Sequence, residues 1–340
     1  MSHYKYPPKS NLHFLLKATL LALFLLSFTG CASIFSSKDA SEQIAPEAIA
    51  PADLIREHMD SCRIVIPGIS RDYHLLFLTD THVTIPSDSD SEEEHAYCME
   101  RLKHFTTNSG CMASKLFTAW IEIANQETWD GLLLGGDIID CPTTANVEYL
   151  HTAFNNLKIP YLYTPGNHDW TFPWEYMTEK GTSQYLASLS PYMKNNTIIH
   201  TLEYDDFIVV AVDNSSNQIH PNALQEYKNI LAQGKPIIVM LHVPLYTEEL
   251  LAKTSQVWNS GVVLGGGVHG GIYPDKVSTK FLSLTTADNS PVVAVLAGHV
   301  HLADRSNLSD EPAILQITGD AGYKGKSLLL HITAGERNKS

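Results

Sequence analysis

The chain has 340 residues, 44% of them hydrophobic, which is enough for a buried core and excludes a disordered or fibrous class. Acidic residues outnumber basic ones 37 to 23, for a formal charge of −14, and without residues 1–30 the basic count falls to 20 and the charge to −17. That balance argues against duplex nucleic acid as a partner, because such binding rests on many Lys and Arg contacts to phosphate; a local positive centre such as bound metal would still attract a single phosphate group.

At the start of the chain, Lys5, Lys9 and Lys17 precede the eleven-residue apolar run ATLLALFLLSF, which is followed by the small residues of TGCAS. A basic start, a short apolar run and a small-residue exit read as a secretory signal over residues 1–30. The run falls short of the roughly 18 to 20 residues that a spanning helix needs. FTGC at 28–31 resembles the lipobox of bacterial lipoproteins, in which cleavage leaves an acylated cysteine at the new N-terminus. That resemblance implies an exported protein anchored to the membrane of the cell envelope through acylated Cys31, in the outer membrane if the cell is Gram-negative. Residues 31–70 are small, polar and punctuated by proline, and are expected to be a tether leading into a folded domain over 71–334.

Within that domain five segments share one pattern: YHLLFLTDTH (73–82), WDGLLLGGDIID (129–140), KIPYLYTPGNHD (158–169), KPIIVMLH (235–242) and PVVAVLAGHVH (291–301). Each is a short run of Val, Ile, Leu, Phe or Tyr, as in a buried strand, ending in Gly, Asp, Asn or His. Helical periodicity appears between them at 112–126, 145–157 and 222–233. Strands alternating with helices predict a layered α/β fold, and ligands of such sheets bind beyond the carboxyl ends of the strands. The polar termini are therefore expected to converge there.

The converging residues are Asp80, His82, Asp137, Asn167, His242, His299 and His301, with Asp140, His168 and Asp169 close by. Carboxylate, amide and imidazole donors without thiolate suit Mn, Fe, Zn or Co. Seven ligands exceed what one catalytic ion takes and suit two divalent metal ions sharing a carboxylate. Asp140 has two readings: a cap for the helix after Pro142, or a group orienting a metal ligand from behind. His299 and His301 are two positions apart and would share one face of an extended segment, so a turn at Gly298 is expected to aim them at two neighbouring ions.

In order, DTH (80–82), GDIID (136–140), GNHD (166–169), His242 and GHVH (298–301) resemble the motif set of the calcineurin-like metallophosphoesterase family. The resemblance implies an α-β-β-α sandwich with its active site at the carboxyl ends of the strands, and hydrolysis of phosphate monoesters or diesters. It assigns Asp80, His82 and His301 to one metal, Asn167, His242 and His299 to the other, and Asp137 to both. It implies hydroxide held by the metals as nucleophile and His168 as general acid, with Asp169 orienting the imidazole. Substrates would be small phosphate esters or lipid headgroups. A catalytically silent, metal-stabilised surface-binding lipoprotein, or a structural spacer, would be favoured had the bridging or acid position been lost; none is.

Four cysteines follow Cys31, which allow three disulfide connectivities or buried free thiols; in an exported chain a bond between Cys98 and Cys111 is one expectation, with Cys141 as a packing residue. The acidic run 87–95 reads as a solvated loop, and GGGVHGG (265–271) as a mobile loop that would bring His269 towards substrate. Trp170, Trp174 and Tyr176 would wall the leaving group or anchor a loop.

Overall fold

The computed structural model describes residues 49–171, 179–311 and 313–335. The predicted signal, Cys31, the first part of the tether, Trp174 and Tyr176 lie outside the described residues. No helix among the described residues is long and apolar enough to cross a membrane.

In chain order the elements are α1 (Pro51–His58), β1 (Met59–Val65), β2 (Tyr73–Leu78), α2 (Glu92–Leu102), α3 (Ala113–Gln126), β3 (Gly131–Leu134), α4 (Thr144–Asn156), β4 (Tyr161–Tyr163), α5 (Glu179–Tyr185), β5 (Ile199–Glu203), β6 (Ile208–Val212), α6 (Pro221–Leu231), β7 (Ile237–Met240), α7 (Glu248–Trp258), α8 (Lys276–Thr285), β8 (Val292–Ala297), β9 (Asp304–Asp310), β10 (Ala313–Thr318) and β11 (Ser327–Thr333). One sheet has the order β1-β11-β2-β3-β4, the other β5-β6-β7-β8-β10-β9. The strands that carry the predicted site run parallel: β2 with β3 and β4, and β7 with β8.

Side-chain alternation explains why the sheets stack. Leu75 and Phe77 of β2, Leu133 of β3 and Leu162 of β4 share a core with Val209, Ala211, Ile238, Met240 and Leu296 of the second sheet. Their neighbours Leu76, Leu78, Leu132, Leu134 and Tyr163 face the other way, onto Leu116, Phe117 and Trp120 of α3 and Leu150 of α4. On the second sheet, Val210, Val212, Ile237, Val239 and Val295 pack on α6 and α8 through Tyr227 and Phe281. Strands buried on both faces have no polar alternation, so they read as continuous apolar runs. Each such side chain contributes about 1.5–3 kcal/mol by leaving water. The result is the expected α-β-β-α sandwich.

The tether boundary at residue 70 is corrected. Leu54 and Ile55 of α1 are buried against α3, and β1 pairs in parallel with β11 from Met59↔Ser327 to Val65↔Thr333. Proline at the first helical turn and a partly exposed β1 carrying Asp60 and Arg63 give this stretch a linker's composition. Its pairing partner lies at the far end of the chain, which local periodicity cannot register. The acidic run is corrected as well: Ser91 and Glu94 form a capping box that starts α2 inside it.

Candidate metal centre

Three of the strands that lead to the site, β2, β3 and β8, end in tight turns. Among the described residues nine non-glycine positions have positive φ, and five of them are predicted ligands: Asp80 (53°), His82 (44°), Asp137 (51°), His299 (69°) and His301 (51°). Left-handed backbone at such residues costs on the order of 1 kcal/mol or more each, and persists only where the surroundings over-determine it. Here they do. The Asp80 and His82 N–H groups donate to the Gly136 and Asp137 carbonyls at 2.9 Å. The His299 N–H donates to both Asp80 carboxylate oxygens at 3.0 and 3.1 Å.

The expected turn at Gly298 is corrected, since the two histidines themselves take the left-handed conformation. Gly298 serves close approach instead: a Cβ there would lie 1.9 Å from Thr79 Oγ1 and 2.5 Å from Asp80 Oδ2. Gly136 has both needs, with φ of 91° and a would-be Cβ 2.5 Å from His242 Nδ1.

All seven predicted ligands are brought together. Asp80, His82 and His301 form one group, and Asp137, His242 and His299 a second. His82 Nε2 faces His301 Nε2 at 3.0 Å, and His301 Nε2 lies 3.3 Å from Asp80 Oδ1. In the second group His242 Nε2 lies 3.2 Å from each of Asn167 Oδ1, His299 Nδ1 and Asp137 Oδ2. The same Asp137 oxygen is 3.8 Å from His82 Nε2, so this carboxylate stands between the groups.

The donor set fits divalent metal. His82 Nδ1 faces the Asp140 carboxylate at 3.1 Å and His242 Nδ1 faces the Gly135 carbonyl at 2.9 Å. Those acceptors place the ring hydrogen on Nδ1 and leave the Nε2 lone pairs turned into the cluster. Burial pulls His82 down to about 4 and His299 to about 3, so both are neutral ligands at pH 7. Burial also disfavours charge on Asp137, but the imidazoles of His242, His168 and His82 hold it ionised well below the usual carboxylate range. Facing nitrogen lone pairs beside buried carboxylates call for positive charge between them.

In the protein without metal, that charge is a proton. Burial lowers the His242 pKa, but the adjacent Asp137 and Asp80 carboxylates outweigh it and raise the imidazole to about 9. His242 is then protonated at pH 7, and ligation requires its Nε2 lone pair. Metal uptake at pH 7 is therefore expected to release about one proton from this residue. Calorimetric titration with Mn²⁺ in two buffers of different ionisation enthalpy reads that proton directly, and identical heats in both would refute it.

Behind the ligands, Asp140 resolves in favour of orientation. It receives Arg101 through Nε at 2.6 Å and Nη2 at 2.9 Å, and lies 3.1 Å from His82 Nδ1 and 2.9 Å from His168 Nδ1. Burial opposes its charge, yet these hydrogen bonds hold it well below the ordinary carboxylate range. The helix after Pro142 is capped by Thr143.

The expected partnership of Asp169 with His168 is corrected. The Asp169 carboxylate accepts four backbone N–H groups, from Asp137 at 2.9 Å, Ile138 at 2.8 Å, Ile139 at 3.0 Å and Gly166 at 2.7 Å. It staples the GDIID loop to the GNHD loop, and its oxygens are spent doing so. Asp140, not Asp169, takes the His168 ring. The His168 backbone N–H donates to Asp137 Oδ1 at 2.7 Å, its side chain is 13% exposed, and its ring lies edge-on to His82 at 4.6 Å. Burial lowers the His168 pKa, but Asp137 and Asp140 together raise it above its usual value.

Several residues of the site have no signal in the motifs. Phe105 stacks on the His82 ring at 4.1 Å with planes 2° apart, and Arg101 lies over Phe105 at 4.8 Å. Asn214 accepts the His242 and Val243 N–H groups at 3.0 and 2.9 Å. Tyr323 and Trp258 stand edge-on to His301 at 5.5 and 5.3 Å, and Trp258 is 44% exposed. Trp170 is a buried anchor whose Nε1 donates to Ser215 at 2.8 Å. His269 is exposed and stacks near Tyr246 at 6.1 Å, in neither ligand group.

The family model described as calcineurin-like phosphoesterase matches residues 73–303, more than half of the chain. No curated protein matches in sequence. Among solved structures, the chain is similar to a dimetal phosphatase from Danio rerio, with 10% identity, 74% of this chain and 88% of that one covered, and a TM-score of 0.44. It is also similar to a purple acid phosphatase from yellow lupin, with 14% identity, 81% and 48% covered and a TM-score of 0.49. A phosphopantetheinyl hydrolase from Mycobacterium tuberculosis has 10% identity, 75% and 92% covered and a TM-score of 0.40.

Proposed function

Because the chain belongs to the calcineurin-like phosphoesterase family, we propose that it hydrolyses phosphate monoesters or diesters at a dinuclear metal centre, with His168 as the proton donor. The observation that carries this reading is the meeting of two ligand groups at Asp137, with His168 held beside them by Asp140. Asp80, His82 and His301 would hold one ion, Asn167, His242 and His299 the other, and Asp137 both. Bound there, two divalent cations, of Mn, Fe or Zn, would supply the Lewis-acid charge that activates water and neutralises phosphoryl oxygens.

The chain's own groups then do the rest. Asp140 accepts from His168 Nδ1, which leaves Nε2 as the atom that gives a proton to the departing oxygen. The carboxylates of Asp137 and Asp140 raise the His168 pKa above its usual value, which favours the protonated form that a donor needs. Arg101 and Asp140 keep the His82 and His168 rings in register, and Asp169 keeps the GDIID and GNHD loops together. Purified protein supplied with Mn²⁺ is tested on chromogenic monoester and diester substrates. Metal binding without turnover of either would leave the silent surface-binding protein in its place.

We also propose export and attachment to the cell envelope through acylated Cys31, supported by the lipobox-like FTGC and the short apolar run before it. Small phosphate esters or lipid headgroups outside the cytoplasm are then the substrates. Cys31→Ala is expected to move the protein from the detergent phase to the aqueous phase on partitioning, since the acyl chains need that thiol. Unchanged partitioning of this variant would remove the anchor.

A further inference from the structure

The expected Cys98–Cys111 bond is not what the structure holds. Cys98 Sγ lies 3.5 Å from Cys141 Sγ, both residues are fully buried, and 43 positions separate them in the chain. Cys111 Sγ lies 3.8 Å from the Met112 carbonyl, and Cys62 Sγ accepts Arg305 Nε at 3.4 Å. No His, Asp or Glu among the described residues completes a metal-ligand group with the two facing thiols.

From this geometry we propose that Cys98 and Cys141 form a disulfide that fastens α2 to the loop carrying Asp137 and Asp140. Sulfurs 3.5 Å apart need to close to about 2.05 Å, a shift of roughly 1.5 Å. The reaction is thiol–disulfide exchange with a small-molecule or protein disulfide. The Cys98 sulfur attacks the oxidant disulfide and releases one thiol. Cys141 then attacks Cys98 Sγ, closing the bond and releasing the second thiol, so two cysteines are oxidised as one disulfide is reduced. The hydrogen bond from Cys141 pulls the Cys98 thiol below its usual range, which suits Cys98 as the first nucleophile.

The position of the bond gives it a consequence. Cys98 is the single fully buried residue of α2, so apart from the Arg101–Asp140 pair little apolar surface holds this helix down, and its local opening is the route to the buried thiols. Such opening admits the oxidant. It would also release Arg101 from Asp140, the carboxylate that holds the His82 and His168 rings. A covalent link from Cys98 to the residue next to Asp140 keeps Arg101 in place. The inference stands on the packing of the two thiols and does not require the phosphoesterase reading.

The test uses the full chain, incubated with oxidised glutathione, alkylated, digested without reduction and mapped by mass. The expected product is a Cys98–Cys141 cross-linked peptide with Cys62 and Cys111 alkylated. Reduction is expected to lower the melting midpoint by about 5–10 °C, as loss of a long closed loop should in a domain of this size. It should also speed amide exchange over residues 92–102. Cys111→Ser should keep both effects, and Cys98→Ser should abolish the dependence on redox state. Two alkylated thiols at 98 and 141, or either one linked elsewhere, would overturn the bond. A bond that leaves the midpoint and the exchange unchanged would overturn its role as a fastening.

Discussion

Asp137→Asn is expected to lower affinity for divalent metal by more than about 100-fold, beyond the 10–100-fold that loss of a group behind the ligands costs, and to abolish phosphoester hydrolysis. The carboxylate stands 3.2 Å from His242 Nε2 and 3.8 Å from His82 Nε2, so both ligand groups lose their shared negative charge at once. The fold should survive, because the amide oxygen can still accept the His168 N–H that Asp137 Oδ1 takes at 2.7 Å. Metal content by mass spectrometry, circular dichroism and kcat/KM on one preparation make the test. A folded variant that retains both ions at the wild-type level would defeat the bridging role.

His168→Asn is expected to retain metal and to lose about 10²- to 10⁴-fold in kcat/KM on alkyl phosphates, whose leaving oxygen needs a proton. The loss should be much smaller on a nitrophenyl ester, whose leaving group departs as an anion. The structure sharpens this prediction by naming the supporting carboxylate. Asp140 holds the His168 ring at 2.9 Å while also receiving Arg101, so Arg101→Met should reproduce the leaving-group dependence in weaker form. A merely structural His168 would predict equal losses on both esters, and missing metal in the variant would equally sink the assignment.

What local sequence determines in this protein is the set of strands and what stands at their ends. Strands buried on both faces are nearly continuous apolar runs, so β2, β3, β4, β7 and β8 announce themselves, and a ligand follows within two to four residues of the end of each. Alternation within the runs then divides Leu75 and Phe77 from Leu76 and Leu78, which is enough to demand a layer on either side. Tertiary structure decided what no period records. The pairing of β1 with β11 joins residues more than 260 apart, and Asp169 holds two loops where the family resemblance gave it to His168. Phe105, Arg101 and Cys98, which meet His82, Asp140 and Cys141, all belong to the stretch between the DTH turn and α3, whose composition carries no motif. The physical reason is common to all of them. Periodicity and end residues arise from backbone geometry and local burial, whereas which carboxylate meets which ring depends on where separate loops are brought by packing of the two sheets.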